Sequence, residues 1–251
     1  MTVLVIGAAG DLGRRVVRHV EARGEDVRPF TRAAGFDLRD RSALDRALPG
    51  CRAMFLQSSP ARDLAAIESS AIAAAERAGV ERIVKIANIP IAGLDHGLHG
   101  CHRTVERRLA GSPVRSTVVQ PSFFTTVLDR QRDLIARGRV VLPFGAGRVA
   151  WVDPEDIAEV AAEALVRDVD GPLVVTGPEA LDGDEVAARL GVVRLDPPLD
   201  QWRVAVAKTG MDPWLLDSTV HLYAAVASGL LDVVAADVER VLNRPARRAF
   251  V

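Results

Sequence analysis

The glycine-punctuated start of the chain constrains its fold more than any other feature. Thr2-Val3-Leu4-Val5-Ile6 is a short apolar run rich in β-branched residues and reads as a buried strand. Gly7, Gly10 and Gly13 follow, and Leu12, Val16, Val17 and Val20 then recur at helical spacing. Strand, glycine turn and helix together form the geometry that cradles a pyrophosphate. The first glycine allows the sharp turn, the second lets the backbone approach the anion, and the third lets the helix pack closely on the strand. The helix N-terminus offers free N–H groups and a partial positive charge.

The spacing is GxxGxxG rather than the GxGxxG of the common dinucleotide fingerprint, and glycines alone specify little. Their position after the first strand and at the opening of an amphipathic helix carries the argument. The alternative is a turn that packs a helix and binds nothing. The residues expected at the phosphates are Gly7, Ala9, Gly10, Asp11, Leu12 and Gly13.

The chain has 251 residues, enough for one large α/β domain or a domain with a smaller lobe. A formal net charge of -1 leaves no basic excess to neutralise nucleic-acid phosphates. A hydrophobic content of 49% excludes a disordered chain. All but two of the 32 basic residues are Arg, the exceptions being Lys85 and Lys208, a usage typical of GC-rich bacterial genomes. Cys51 and Cys101 are too few for a disulfide framework, so a reducing cytoplasm is the expected home. There is no signal-peptide pattern, and no apolar stretch reaches transmembrane length. The expected partner is a small apolar molecule, with neither nucleic acid nor membrane involved, and the chain is expected to be a monomer or a homodimer.

Asp26–Phe30 reads as a second strand. At the end of that strand an acidic residue would bond a ribose 2′-hydroxyl, whereas an arginine accommodates a 2′-phosphate. The chain has Thr31-Arg32 there, which points to NADP(H), with NAD(H) as the alternative and a solvated surface arginine as the bland reading. A short helix from near Ser42, a strand at Ala53–Gln57, a helix from Asp63 to Ala78 and a strand at Arg82–Ala87 follow. This alternation implies a Rossmann-type, doubly wound parallel sheet with helices on both faces. Further on, the pattern predicts a helix from about His99 to Ala110, a strand at Arg115–Gln120 and a helix from Phe123 to Arg137. A strand pair or loop crossing is expected at Val140–Phe144 and Arg148–Val152. Asp153-Pro154-Glu155-Asp156 opens a well-signalled helix, with a cap, a first-position proline and acids in the first turn. Leu173–Thr176 reads as a further strand.

From Leu181 onward helical patterns dominate, over about Gly183–Leu190, Leu199–Thr209, Asp212–Ser228 and Val233–Leu242, with a short strand near Val192–Leu195. The expected division is a cofactor-binding domain at 1–180 and a smaller, mostly helical substrate lobe at 181–251, interleaved in space. Trp202 and Trp214 in that lobe, with Phe124, are the expected substrate contacts; helix packing is the alternative for any one of them.

Several stretches in order along the chain resemble the NmrA-like family of atypical short-chain dehydrogenases/reductases. They are Gly7–Gly13, Thr31-Arg32 with Asp37-Leu38, Arg82–Ile86, His102 to Glu106, Gln120–Phe124, Val152–Ala158, Val175–Leu181 and Leu242–Phe250. The branch it is similar to includes NAD(P)H quinone and azo reductases, together with redox sensors that bind cofactor without turnover. The resemblance implies NADP(H) across Gly7–Gly13, Arg32 on the 2′-phosphate, Asp37 and Leu38 at the adenine, and Gln57 and Ser58 along the middle of the cofactor. It also implies Ala87 and Pro121 to Phe124 near the nicotinamide, with Phe123 and Phe124 as contacts.

The departures from the wider superfamily are informative. Its usual serine and Tyr-x-x-x-Lys pair are missing. The one tyrosine is Tyr223, neither lysine fits, Ala87 with Asn88 beside it takes the serine position, and His99 and Arg103 stand where Tyr and Lys would. His99, His102 and Asn88 are therefore the candidate catalytic residues. Histidine titrates near neutrality and could protonate a reduced acceptor, with Glu106 holding the His102 ring from four residues on. A metal site at His96, His99, Cys101 and His102 lacks a second ligand pair and is not expected; a solvated helix end is the bland reading. The expected function is an NADPH-dependent reductase passing hydride to an apolar conjugated acceptor, quinone-like or a secondary-metabolite intermediate, without the usual relay. A cofactor-reading sensor and a non-redox biosynthetic enzyme are the alternatives.

Overall fold

The computed structural model describes residues 1–250. Its first half alternates strand and helix: β1 (Thr2–Ile6), α1 (Asp11–Glu21), β2 (Asp26–Phe30), α2 (Arg41–Ala47), β3 (Cys51–Leu56), α3 (Leu64–Arg77), β4 (Arg82–Ile86) and α4 (Gly97–Ala110). Then come β5 (Arg115–Pro121), α5 (Arg132–Ile135), β6 (Arg139–Val141), α6 (Pro154–Val166) and β7 (Gly171–Val175). The chain ends with α7 (Gly183–Leu190), β8 (Val193–Leu195), α8 (Leu199–Ala207), α9 (Pro213–Ala227) and α10 (Asp237–Leu242).

Six strands form one parallel sheet in the order β2-β1-β3-β4-β5-β7. Side chains alternate across it. Val3 and Val5 of β1 join Val16 and Val20 of α1 and Val160 of α6 in one core. Leu4 and Ile6 face the opposite way, onto Leu44, Ile72 and Val105 of α2, α3 and α4. Both faces are thus covered, as an all-parallel sheet requires. The chain leaves β1 toward β2 on one side and returns to β3 on the other. That reversal opens a crevice at the carboxyl ends of β1 and β3, where doubly wound folds bind ligands.

The widespread dinucleotide order 3-2-1-4-5-6 has a strand outside β2. Here only a 3-10 turn at Arg32–Ala34 and a loop separate β2 from α2, too little chain for another crossover. β2 is therefore an edge strand, and Pro29 sits in it. On the opposite edge, the Val174 N–H donates to Asp237 Oδ2 at 2.7 Å.

Two local expectations are corrected, and one left open between a strand pair and a loop crossing is decided for the crossing. Phe123 to Arg137 is not one α-helix but a 3-10 stretch, Thr125–Gln131, followed by the single turn α5. Phe124 is bridged to Val152 in extended form, and the β-branched run Thr125-Thr126-Val127 disfavours an α-helical start. Arg148–Val152 does not pair with Val140–Phe144. β6 pairs in parallel with β8, while 148–152 makes only isolated bridges. The intervening turn packs on α9, so tightly that a Cβ on Gly147 would lie 2.1 Å from the Val226 carbonyl oxygen. The last helix begins at Asp237 rather than Val233, because the Ala235 N–H is held by Thr176 Oγ1 at 3.0 Å. The boundary at 180 is crossed both ways in space: β6 joins β8, and Val238 of α10 returns to the core around α1 and α6.

Candidate cofactor and active site

The turn after β1 is built from close approaches. Gly7 has φ +85, and a Cβ there would lie 2.7 Å from the Gln57 carbonyl oxygen; one on Gly13 would lie 2.0 Å from the Gly7 carbonyl oxygen. Gly10 is the N-cap of α1 and supplies no capping side chain. The first N–H groups of α1 therefore point out of the turn without a side-chain partner from the cap. The Gly10 N–H closes the turn onto the Gly7 carbonyl at 2.9 Å. Asp11 is exposed and faces Arg15, with Nε at 3.1 Å, and Ala9 accepts a bond from Arg14. Leu12 is buried in the core below. The cradle suits a pyrophosphate: an uncapped helix start and glycines where any Cβ would intrude.

Parallel strands bring their carboxyl ends to one rim, and the remaining expected residues follow it. Thr31 caps the 3-10 turn through its hydroxyl, and Arg32 extends from that turn with its side chain 82% exposed, 4.0 Å from Asp37. Leu38 is half-buried, and Phe36 stacks on Phe30 with ring centroids 5.0 Å apart. Gln57 and Ser58 leave β3 beside the glycine turn. Ala87 is buried and donates its N–H to the Val119 carbonyl, while Asn88 is half-buried at the end of β4. Pro121 closes β5. Phe124 remains partly open over the core, whereas Phe123 turns away from the rim into a cluster with Trp151 and Tyr223 at 5.4 and 6.1 Å.

Beneath the rim, between β3, β4, α3 and α4, lies a buried polar chain. Glu68 on α3 is fully buried and accepts the N–H and hydroxyl of Ser58 at 3.2 and 2.9 Å. Lys85 interrupts the apolar strand β4 and faces the α3–α4 side. Its Nζ stands 3.0 Å from Glu68 Oε2 and 3.4 Å from His102 Nδ1, and it donates to the Ile86 carbonyl. Burial pulls the Lys85 ammonium below its ordinary pKa. Burial also pushes His102 well below the usual histidine value and His99 down to about 4. Neither ring is an imidazolium near neutrality, which corrects the expectation of a histidine acid titrating there. The expected His102–Glu106 pair is also absent. Glu106 instead takes Arg103 at 2.9 Å and the Gln120 amide at 3.3 Å, leaving Oε1 without a partner. Burial lifts the Glu106 carboxyl above its ordinary range.

Helix α9 roofs the start of α4. Leu98 donates its N–H to Ser218 Oγ at 3.1 Å, and His96 meets His221 edge-on at 4.4 Å. Trp214 lies under the Arg62 guanidinium at 6.0 Å, and Trp202 packs on Tyr223 at 4.9 Å. Tyr223 is buried, its phenol pushed up to about 12 by burial. A cleft of about 430 Å³ opens beside Thr125, between Leu128, Arg132, Ile135, Leu190 and Phe250; neither Trp202 nor Trp214 lines it. Among the described residues, no three His, Cys, Asp or Glu converge as a metal site, and no helix is long and apolar enough to cross a membrane.

The chain is 32% identical over 272 residues to the NAD(P)H azoreductase of Xenophilus azovorans, covering 98% of this chain and 94% of that protein. This chain belongs to the NmrA-like family of atypical short-chain dehydrogenases/reductases. It is also 31% identical over 268 residues to a (4-alkanoyl-5-oxo-2,5-dihydrofuran-3-yl)methyl phosphate reductase of Streptomyces griseus, over 98% of this chain and 94% of that one. In fold it is similar to an NADPH-dependent quinone oxidoreductase of Escherichia coli solved with NADPH. That match has a TM-score of 0.84 at 21% identity and covers 100% and 97% of the two chains. No protein-family model matches the chain.

In this NmrA-like chain, sequence reasoning missed Lys85 and Glu68. The signal was present: a fully buried parallel strand has no solvent-facing side, so a lysine inside Arg82–Ile86 demands a buried partner. The partner's position on α3 is a tertiary fact: that helix carries two acids, Glu68 and Glu76, and the sequence alone does not choose between them.

Proposed function

We propose that this protein is an NADPH-dependent reductase of an apolar, conjugated acceptor such as a quinone or azo compound. The coarse statement, an NAD(P)H-dependent oxidoreductase, follows from the full-length similarity to the azoreductase and the furanone-phosphate reductase. The single observation that carries the cofactor reading is the glycine cradle: Gly7 and Gly13 tolerate no Cβ and α1 starts uncapped. These residues fit a dinucleotide pyrophosphate. Arg32, exposed and held only loosely at 4.0 Å from Asp37, is positioned to receive a 2′-phosphate. A nicotinamide bound along this rim would supply the hydride.

The chain's own residues do the rest. Gly7, Gly10, Asp11 and Gly13 hold the pyrophosphate turn, Gln57 and Ser58 the middle of the groove, and Asn88, Pro121 and Phe124 the rim beyond. The cleft beside Thr125, apolar at Leu128, Ile135, Leu190 and Phe250, is the candidate seat of a flat acceptor. No Tyr-x-x-x-Lys pair serves the site, because the one tyrosine is locked in the lobe core. A quinone suits such a site, since its reduced form is a stabilised phenolate that needs little proton help as hydride arrives.

The test is calorimetric titration of NADPH and NADH, followed by NADPH oxidation with a naphthoquinone and an azo dye. NADPH binding tighter than NADH, with oxidation by at least one acceptor, is the expected result. Binding without oxidation across a broad acceptor panel rejects the reductase in favour of a cofactor sensor or a non-redox enzyme. No binding of either cofactor rejects the cradle itself.

A further inference from the structure

The segment that follows Phe124 has little regular helix, yet it is held at both ends. The Thr125 N–H donates to the Val152 carbonyl at 3.0 Å. Further on, the Gln131 side chain grips β6: its amide nitrogen donates to the Val141 carbonyl at 3.0 Å, and its Oε1 accepts the Val141 N–H at 2.8 Å. That pair of bonds copies one rung of a strand ladder. The cleft of about 430 Å³ opens along this fixed segment, directly after Phe124 on the rim, with Leu190 and Phe250 closing it from other parts of the chain. Phe250 is backed in turn by the Trp151 ring at 5.4 Å.

Arg132 is the one basic residue in the lining. Its Nε donates to the Asp129 carbonyl oxygen at 3.1 Å, which fixes the direction of the planar fork. Among the described residues Nη1 and Nη2 bond no protein group, so the outer N–H donors of the guanidinium stay free. Asp129 also lines the cleft, but the balance of the segment is basic. Residues 125–139 hold four arginines, at 130, 132, 137 and 139, against two aspartates, at 129 and 133. Among the described residues none of these arginines makes an ion pair, whereas Arg244 and Arg247 share Asp156. A chain of net charge -1 thus carries uncompensated positive charge beside the cleft.

We propose that this cleft selects a flat acceptor carrying an oxyanion substituent such as a carboxylate, and that Arg132 is the residue that takes it. The proposal rests on the reductase reading above and on this cleft as the acceptor's seat. The ring system lies among Leu128, Ile135, Leu190 and Phe250, and the substituent meets the outer edge of the guanidinium. A planar fork with both outer nitrogens free matches a carboxylate better than a point charge would. The neighbouring arginines add a long-range field that draws an anion to the mouth. The substituent is held and takes no part in the electron transfer.

The test uses three azo dyes with one chromophore: 4-(dimethylamino)azobenzene, its 4′-carboxylate and its 4′-trimethylammonium derivative. With saturating NADPH, kcat/KM is expected to rank carboxylate above neutral above cation, and the preference is expected to shrink as salt is raised. Arg132 is exposed, so Arg132→Gln should fold normally. It is expected to lower kcat/KM for the carboxylate by about fivefold, as fits a solvent-exposed pair, and to change the neutral dye less than about twofold. Asp129→Asn is expected to leave the carboxylate dye as good or better. A cation-first ranking, three equal dyes, or a carboxylate preference that survives Arg132→Gln overturns the proposal. If the native protein oxidises no NADPH with any dye, the reductase reading fails, and equilibrium dialysis of the same dyes still decides this one. Tighter binding of the carboxylate that Arg132→Gln abolishes upholds the anion site; equal binding of the three, or none, overturns it.

Discussion

A Cβ placed on Gly13 would stand 2.0 Å from the carbonyl oxygen of Gly7, whereas one on Gly10 would meet the same oxygen at 3.2 Å. The two glycines therefore answer to different constraints. Gly13→Ala forces α1 away from β1, an overpacking cost of about 1–3 kcal/mol or more. Gly10 has φ -74, which alanine adopts freely, and its Cβ would press on Gly7 far less than that of Gly13, so Gly10→Ala should cost clearly less stability than Gly13→Ala while weakening NADPH binding through the methyl group in the cradle. Urea unfolding and calorimetric titration of both variants separate the effects. Equal losses of stability would contradict the assignment.

Arg32 has no close partner and an 82% exposed side chain, so its removal should not disturb the fold. A hydrogen bond to a charged group is worth about 1.5–3 kcal/mol, so Arg32→Ala should weaken NADPH by about 10- to 100-fold and leave NADH nearly unchanged. Titration with the two cofactors measures the ratio directly. A matching loss for NADH would place Arg32 away from the 2′-phosphate.

The buried histidines make stability depend on pH with a definite sign. His99 falls from 6.5 in the unfolded chain to about 4 in the folded one. Between those values the unfolded chain binds a proton that the folded chain does not. Its contribution is therefore complete above about pH 6.5 and is lost as pH falls toward about 4, a total of about 3 kcal/mol. His102 acts in the same sense. Unfolding free energy measured from neutral to acid pH should drop across this window, and His99→Gln should flatten the drop.

The C-terminal segment is strapped to α6 by a fully buried carboxylate. Asp156 accepts the Arg247 N–H at 2.7 Å and Arg244 Nη2 at 2.8 Å, and also takes the Arg247 guanidinium. Because both arginine side chains stay partly open to solvent, Asp156→Asn should cost about 2 kcal/mol rather than the larger penalty of a fully buried pair. Phe250, which packs edge-on against Trp151 at 5.4 Å, borders the cleft beside Thr125, so under the proposed function the variant should also raise KM for the acceptor. Urea unfolding together with steady-state kinetics checks both halves of this expectation.

The parts of the fold that local chemistry dictates were legible from the chain. The glycine turn, the Asp153-Pro154 helix start and the alternation of strand and helix each depend on residues adjacent in sequence, and each stands where the pattern placed it. Segments whose shape depends on distant partners were not legible. Thr125–Gln131 gives up an α-helix because Phe124 is bridged to Val152, and 232–236 stays outside the last helix, with Thr176 holding Ala235. The same division runs through the site. The rim from Gly7 to Phe124 follows from strand ends in a parallel sheet. The Glu68–Lys85–His102 chain joins α3, β4 and α4, and no spacing along the sequence encodes it. His102 was nominated, but its ring meets Lys85 rather than Glu106, whose Oε2 takes Arg103 and Gln120.

The two margins of the main sheet bear on how copies of this chain can meet. Unpaired strand margins are templates for growth, since each exposes a row of free donors and acceptors. At β2 the row is broken by Pro29, which has no N–H to give. At β7 the Val174 donor is already consumed by Asp237. Neither margin presents an intact ladder to an incoming strand. Growth of the main sheet from one copy into the next is thereby disfavoured at both of its margins.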